Sequence, residues 1–291
     1  MENKRVAVLG ATSLVGEVLL PALVEQGFDV LAYSRFFVDG EPSSSSKVRW
    51  LKLGDNSVSS ALAADYVICL APIWVLPQYF SLFESMHVKR VLALSSTSCF
   101  TKIDSVDDAE QQVVKRLVEG ERALESWASQ HSVEWTVLRP TLVYGGGRDQ
   151  NITAMARVIQ RFRIFPVLGA GVGLRQPVHR QDVAAACVSA MCCVPAANKA
   201  YNISGAEVLS YRQMVSRVFL AMGRRPLIVS IPLFVFSGLV AVARCFPTFR
   251  GLNLGMAQRM RKNMTFDHQE AKRDFAFSPR SFHLGDDDLP S

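Results

Sequence analysis

Val6-Ala-Val-Leu-Gly-Ala-Thr-Ser-Leu-Val-Gly16 is the stretch whose reading decides the fold. The apolar run Val6–Leu9 suits a strand buried on both faces, Gly10 breaks it, and Gly16 opens an apolar helical pattern over Glu17–Gln26. A parallel strand, a glycine turn and a helix N-terminus in that order form a site for a dinucleotide pyrophosphate. The turn lets backbone approach the phosphates, and the helix start offers unpaired N–H groups and the positive end of its dipole. Ser13 stands where the three-glycine spacing has its middle glycine. On this stretch alone, an ordinary strand–turn–helix corner remains the alternative.

Outward from that turn, short apolar runs alternate with helical patterns. Val6–Leu9, Asp29–Ala32, Val48–Leu53, Tyr66–Ala71, Arg90–Leu94 and Trp135–Leu138 read as strands, with amphipathic stretches such as Glu17–Gln26 and Ala109–His131 between them. That alternation predicts βαβ units and a parallel sheet covered on both faces. Ser43–Ser46 reads as a loop. After Tyr144-Gly-Gly-Gly147 the pattern changes to a cationic helix (Thr153–Arg163) and a glycine-rich loop (Leu168–Gly173). With no strand before it and no long helix after it, that loop reads as a hairpin or lid rather than a second phosphate site. A helix over 182–193 with Asp182 as N-cap, a strand over Ala200–Ile203 and an amphipathic stretch over Ser210–Met222 follow. The end, Gly285-Asp-Asp-Asp-Leu-Pro-Ser291, reads as a flexible tail.

A chain of 291 residues, 49% hydrophobic and 20% charged, can bury a large core. The net charge of +6 suits an anionic small molecule, whereas the absence of any block of like charges argues against nucleic acid. The six cysteines lack Cys-x-x-Cys spacing, which favours buried thiols in a reducing compartment; with no signal-peptide layout, a cytoplasmic setting is expected. No metal site is expected. Residues 227–243 carry no charge, are slightly short for a span, and are interrupted by Pro232 and Gly238. A buried strand followed by a core helix is the favoured reading. Peripheral membrane contact through 227–250, with Arg244 and Arg250 toward lipid phosphates, is the other.

Several motifs in register carry a resemblance. Gly10-Ala-Thr-Ser-Leu-Val-Gly16, Asp65-Tyr-Val-Ile-Cys-Leu-Ala-Pro72, Val91-Leu-Ala-Leu-Ser-Ser-Thr-Ser98, Leu138-Arg-Pro-Thr-Leu-Val-Tyr-Gly145, Pro177-Val-His-Arg-Gln-Asp-Val-Ala184 and Tyr201-Asn-Ile-Ser-Gly205 resemble the extended short-chain dehydrogenase/reductases, the group of the nucleotide-sugar epimerases and dehydratases. The closing stretch Asp274–Phe282 is similar to the end of those proteins. The resemblance implies an α/β, doubly wound parallel-sheet Rossmann fold (1–147 plus 177–205) with a smaller C-terminal substrate lobe (148–176 plus 206–285) and a flexible tail (286–291).

Carried over residue by residue, the resemblance places the pyrophosphate over Gly10, Thr12, Ser13, Leu14, Val15 and Gly16, and the adenosine ribose at Ser34 and Arg35. A carboxylate at that ribose suits NAD and an arginine suits NADP; Ser34-Arg35 brings the arginine and no acid, so NADP is expected rather than NAD. Asp55 resembles the aspartate that caps the adenine. Leu70, Ala71 and Pro72 would pass under the ribose, and Ser95 and Pro140 would flank the nicotinamide. Among substrate contacts, Tyr144, Arg175 and Arg280 are singled out, the arginines because they suit a diphosphate.

One departure bears on chemistry. Active members of the group use a Tyr and, four residues later, a Lys. Counting back from Glu121, those positions hold Val113 and Leu117, and residues 101–134 contain no Tyr. An aliphatic side chain exchanges no proton with a substrate. Thr97, at the family's catalytic Ser/Thr position, is the candidate catalytic residue, with a hydroxyl satisfied by backbone as the alternative; Tyr144 and His179 are possible substitutes for the missing pair, with the Tyr-Gly turn and the start of the 182–193 helix as their other readings. Two functions follow: an NADP-dependent oxidoreductase or epimerase acting on a nucleotide- or lipid-linked sugar through a non-standard acid–base set, or a non-catalytic NADP-binding sensor or scaffold. No helix is distinctive enough to read as a dimer face.

Overall fold

Alternating side-chain direction along strands buried on both faces shows why this sequence stacks into three layers. In β1 (Arg5–Leu9), Val6 and Val8 face one apolar cluster while Ala7 and Leu9 face another. A computed structural model describes residues 4–35, 47–54, 62–101, 108–232 and 262–290. Its main sheet has seven parallel strands. In chain order they are β1, β2 (Asp29–Ser34), β3 (Val48–Lys52), β4 (Tyr66–Cys69), β5 (Arg90–Leu94), β6 (Glu134–Pro140) and, much later, β11 (Lys199–Ile203). The order across the sheet is β11-β6-β5-β4-β1-β2-β3. Reversal of direction between β1 and β4 opens the crevice where ligands of such sheets bind.

On one face lie α1 (Gly16–Glu25) and α6 (Arg180–Cys192), with Leu19 and Leu23 of α1 fully buried. Each such side chain contributes roughly 1.5–3 kcal/mol by leaving water. On the other face lie a 3₁₀ helix (Ile73–Tyr79), α2 (Phe80–Met86), the short α3 (Ser98–Thr101) and the long α4 (Asp108–Gln130). Gly120 lets α4 sit against that 3₁₀ helix, since a Cβ there would stand 2.9 Å from the Trp74 nitrogen. Arg90, 5% exposed, pairs with Glu134 and donates to the carbonyls of Met191 (2.8 Å) and Cys193 (2.7 Å), closing the end of α6 onto the sheet.

A third cluster belongs to the smaller lobe: α5 (Ile152–Phe162), β8 (Phe165–Leu168) and α7 (Tyr211–Ala221), with Tyr144, Phe282 and Leu284. Its strands form two-stranded pairs: β7 (Val143–Tyr144) with β10 (Val178–His179), β9 (Leu174–Arg175) with β12 (Leu209–Ser210), and β8 with β13 (Ile228–Ile231). Asp149 starts α5 by accepting from the N–H groups of Asn151, Ile152 and Thr153. The expected start of α7 is found, with Ser210 and Gln213 forming a capping box. The last helix, α8 (Gln269–Phe275), packs its Ala271 and Phe275 into the α1–α6 side of the core.

Four expectations change. A strand, β8, does precede the Leu168–Gly173 loop; it is short and joins β13 instead of the main sheet. The strand within 227–243 is half-exposed rather than buried, with Val229 47% exposed, and the rest of that run lies outside the described residues. No described helix is long and apolar enough to cross a membrane. Helix α6 begins at Arg180 with His179 as its cap, so Asp182 lies inside the first turn.

The tail is the fourth. Asp288 is buried against the Gly145–Gly147 turn, accepting from Gly146 N–H (3.1 Å) and Gly285 N–H (3.0 Å), with His179 Nε2 at 3.1 Å. Because Gln181 N–H donates to His179 Nδ1 (3.3 Å), the ring proton belongs on Nε2, facing Asp288. Burial pushes the Asp288 carboxyl up, yet these bonds outweigh it and hold the group below its usual value. A carboxylate with that many donors has no reason to stay in solvent.

Asp274 anchors α8 more strongly. Arg273 (2.8 Å), Tyr201 (2.6 Å) and Lys199 (2.9 Å) all donate to its carboxylate and hold its pKa well below the carboxylate range. A depressed carboxylate adds stability above its unfolded pKa and loses it as pH falls through the folded one. D274N is therefore expected to be less stable than the wild type at neutral pH. The gap in urea midpoints should close as the pH drops below about 4.

Candidate functional site

The turn after β1 has the geometry its glycines promise. Gly10 adopts φ +78°, and a Cβ there would stand 2.8 Å from the Ala71 nitrogen at the end of β4. Gly16 presses α1 onto the turn so closely that a Cβ would lie 2.1 Å from the Ala11 carbonyl oxygen. Ser13 turns the chain: its N–H donates to Gly10 O (2.9 Å) and its hydroxyl accepts from Gly16 N–H (3.1 Å). Val15, the residue before α1, contributes no side-chain cap, and the N–H groups of Leu14 and Val15 meet no acceptor among the described residues. Paired with the helix dipole, such amides fit a pyrophosphate.

The neighbouring strand ends complete this side. Ser34 is buried at the end of β2 and Arg35 is exposed beyond it. Leu70, Ala71 and Pro72 follow β4, with Leu70 N–H donating to Leu9 O (2.9 Å) and Ala71 against Gly10. Asp55 lies outside the described residues.

At the end of β5, the hydroxyl of Thr97 is directed at backbone, 3.3 Å from Pro140 O, which also accepts from Thr97 N–H (3.1 Å). That hydroxyl ties β5 to β6. Ser95 instead donates to Glu121 of α4 (2.5 Å), and Glu121 accepts two prongs from Arg139 of β6, Nε at 3.0 Å and Nη2 at 2.5 Å. Phe100 covers that guanidinium, 5.1 Å from the ring centroid. A groove of about 370 Å³ opens beside this pair, walled by Phe100, Glu121, Trp135, Arg139 and Ala200, away from the glycine turn. Val113 and Leu117 pack into the apolar cluster beneath α4, Leu117 at 5% exposure. Lys115 is turned outward toward Glu119 (3.8 Å).

Three expected substrate residues are occupied elsewhere. Tyr144 is fully buried, donates to His283 O (3.2 Å), and burial pushes its phenol up to about 12. Arg175 is buried at 4% exposure, donates to Leu174 O (2.7 Å) and Lys262 O (2.8 Å), and lies over the Tyr211 ring; burial lowers its pKa. Arg280 binds Asp182 through its Nε (2.8 Å) and its N–H (3.0 Å), clamping the closing segment to α6. Conversely, Glu17, Arg148 and Arg180 meet at the glycine turn, a place the sequence reading gave to none of the three. A carboxylate one residue beyond Gly16, at a helix start meant for an anion, was the available signal.

Residues 78–204 match the model of the NAD dependent epimerase/dehydratase family. That match covers less than half of the chain. The matched part runs from the 3₁₀ helix through β11 and includes α4, while the glycine turn precedes it. A solved UDP-glucuronic acid 4-epimerase from Bacillus cereus, in complex with NAD, has the same fold over 96% of this chain and 92% of its own, at TM-score 0.72 and 14% identity. An uncharacterized protein of Sinorhizobium fredii is 26% identical over 95% of this chain, and a chloroplast stem-loop binding protein of 41 kDa of Arabidopsis thaliana is 24% identical over 72%. The chain spans 75% and 61% of the length of those two relatives.

Proposed function

We propose that this chain binds a nicotinamide dinucleotide at the glycine turn, with NADP preferred, and acts as an epimerase- or reductase-type protein on an anionic sugar conjugate such as a nucleotide sugar. The observation that carries the dinucleotide is the pair of Leu14 and Val15 amides, without acceptors among the described residues and held between Gly10 and Gly16. A bound nicotinamide would supply hydride transfer. Gly10 and Gly16 supply the close backbone approach, and the Leu14 and Val15 N–H groups are available to the phosphates.

The NADP preference rests on Arg35, with no acid at Ser34. Fluorescence titration is expected to show tighter binding of NADPH than of NADH. R35D should weaken NADPH by about 10- to 100-fold, the worth of one charge-assisted hydrogen bond, and leave NADH far less affected. Equal affinities in the wild type would remove the preference.

A second reading has its own observation. Val113 and Leu117 serve the core, and the Thr97 hydroxyl is spent on backbone, so no proton-transfer group of the usual kind stands on α4. Binding without turnover is then the protein's task; the chloroplast relative is likewise named for binding. Consumption of NADPH with any of a panel of nucleotide sugars would end this reading.

A further inference from the structure

The glycine turn has a second wall formed by residues outside the motif. Arg148 leaves the Gly145–Gly147 turn of the smaller lobe, and its Nη2 donates to Thr12 O at 3.4 Å. The same guanidinium pairs with Glu17 in the first turn of α1, and Arg180 Nη1 holds Glu17 from the other side at 3.0 Å. Arg180 lies under Gly146, where a Cβ would sit 2.3 Å from Nη1, and its buried Nε meets no partner among the described residues. Asp288 fixes the turn from above through Gly146 N–H.

This arrangement solves an electrostatic conflict. A lone carboxylate in the first turn of α1 would repel a pyrophosphate brought to that helix start. Two guanidiniums around one carboxylate leave a surplus of positive charge there. They also tie a loop of the smaller lobe to the turn that receives the ligand.

We infer that Arg148 is a positioning residue for the dinucleotide: the Arg148–Glu17–Arg180 bridge latches the Gly145–Gly147 turn across the glycine turn and sets how fast the dinucleotide leaves. The inference rests on the dinucleotide reading above. Arg148 and Glu17 have side chains 47% and 44% exposed, so their removal leaves the core intact. An exposed pair is screened by salt, which gives the latch a signature that a packing role lacks.

The test loads the full chain with NADPH, or with NADH if that binds more tightly, and follows loss of its fluorescence after mixing with excess oxidised cofactor. R148A and E17A are each expected to release it about tenfold faster, a change near 1.4 kcal/mol. Wild-type release should accelerate more steeply from about 0.05 to 0.5 M salt than R148A release does. If the wild type binds the reduced cofactor but R148A releases it within twofold of the wild-type rate, or E17A releases it more slowly, the latch is wrong while the dinucleotide reading stands. If the wild type binds neither cofactor, both fall.

Discussion

Gly16→Ala is expected to abolish dinucleotide binding, although it adds a single methyl group. That methyl would lie 2.1 Å from Ala11 O and 2.7 Å from Ala11 C, both backbone atoms of the turn itself. Backbone has no alternative rotamer to adopt, so either α1 or the turn must move. Overpacking of this kind costs about 1–3 kcal/mol, and in a domain of this size each kcal/mol lowers the melting midpoint by roughly 2–4 °C. The shift also displaces the Leu14 and Val15 amides from any phosphate. A thermal melt with an NADPH titration checks both parts. Wild-type affinity in a destabilised variant would show that the turn binds without its close contact to α1.

Glu121→Ala should be the most destabilising change in the site region. Arg139 has 22% and Glu121 13% of its side chain exposed, so removing the acid leaves a guanidinium mostly buried against Phe100 without its countercharge. Breaking such a pair costs about 3–5 kcal/mol, whereas replacing both members with apolar residues restores much of the loss. Urea unfolding should place E121A far below the wild type and the E121L/R139M double variant between them. Ser95 loses its acceptor in both variants, which separates its hydrogen bond from the charge effect. If E121A costs no more than an exposed ion pair, the Glu121–Arg139 contact contributes little to this fold.

The main sheet was readable because its signals are local. Val6–Leu9, Asp29–Ala32 and Arg90–Leu94 each carry their apolar pattern within one strand, and Gly10 and Gly16 mark a turn whose sterics involve residues close by or at the next strand end. The same locality exposed the aliphatic Val113 and Leu117. What the sequence concealed depends on distant partners. Arg280 has the chemistry for a diphosphate, but Asp182, 98 residues away, takes it. Tyr144 looks like a site phenol until the chain from 139 residues on supplies His283 O. The Asp286–Asp288 triplet suggests a solvated tail, and only the folded Gly145–Gly147 turn offers the N–H that draws Asp288 inward. Arg148 and Glu17 gave no periodic signal, since the two stand on different lobes.

Docking of Asp288 has a consequence for synthesis. Gly146 emerges from the ribosome 142 residues before the carboxylate that pins it. At roughly 5–20 residues per second, that is a delay of about 7–30 s, during which the seven-stranded sheet can begin to assemble but this turn lacks its partner. Contacts so distant in sequence close late and slowly. The nascent chain thus completes the seven strands of its main sheet well before Asp288 arrives to pin Gly146.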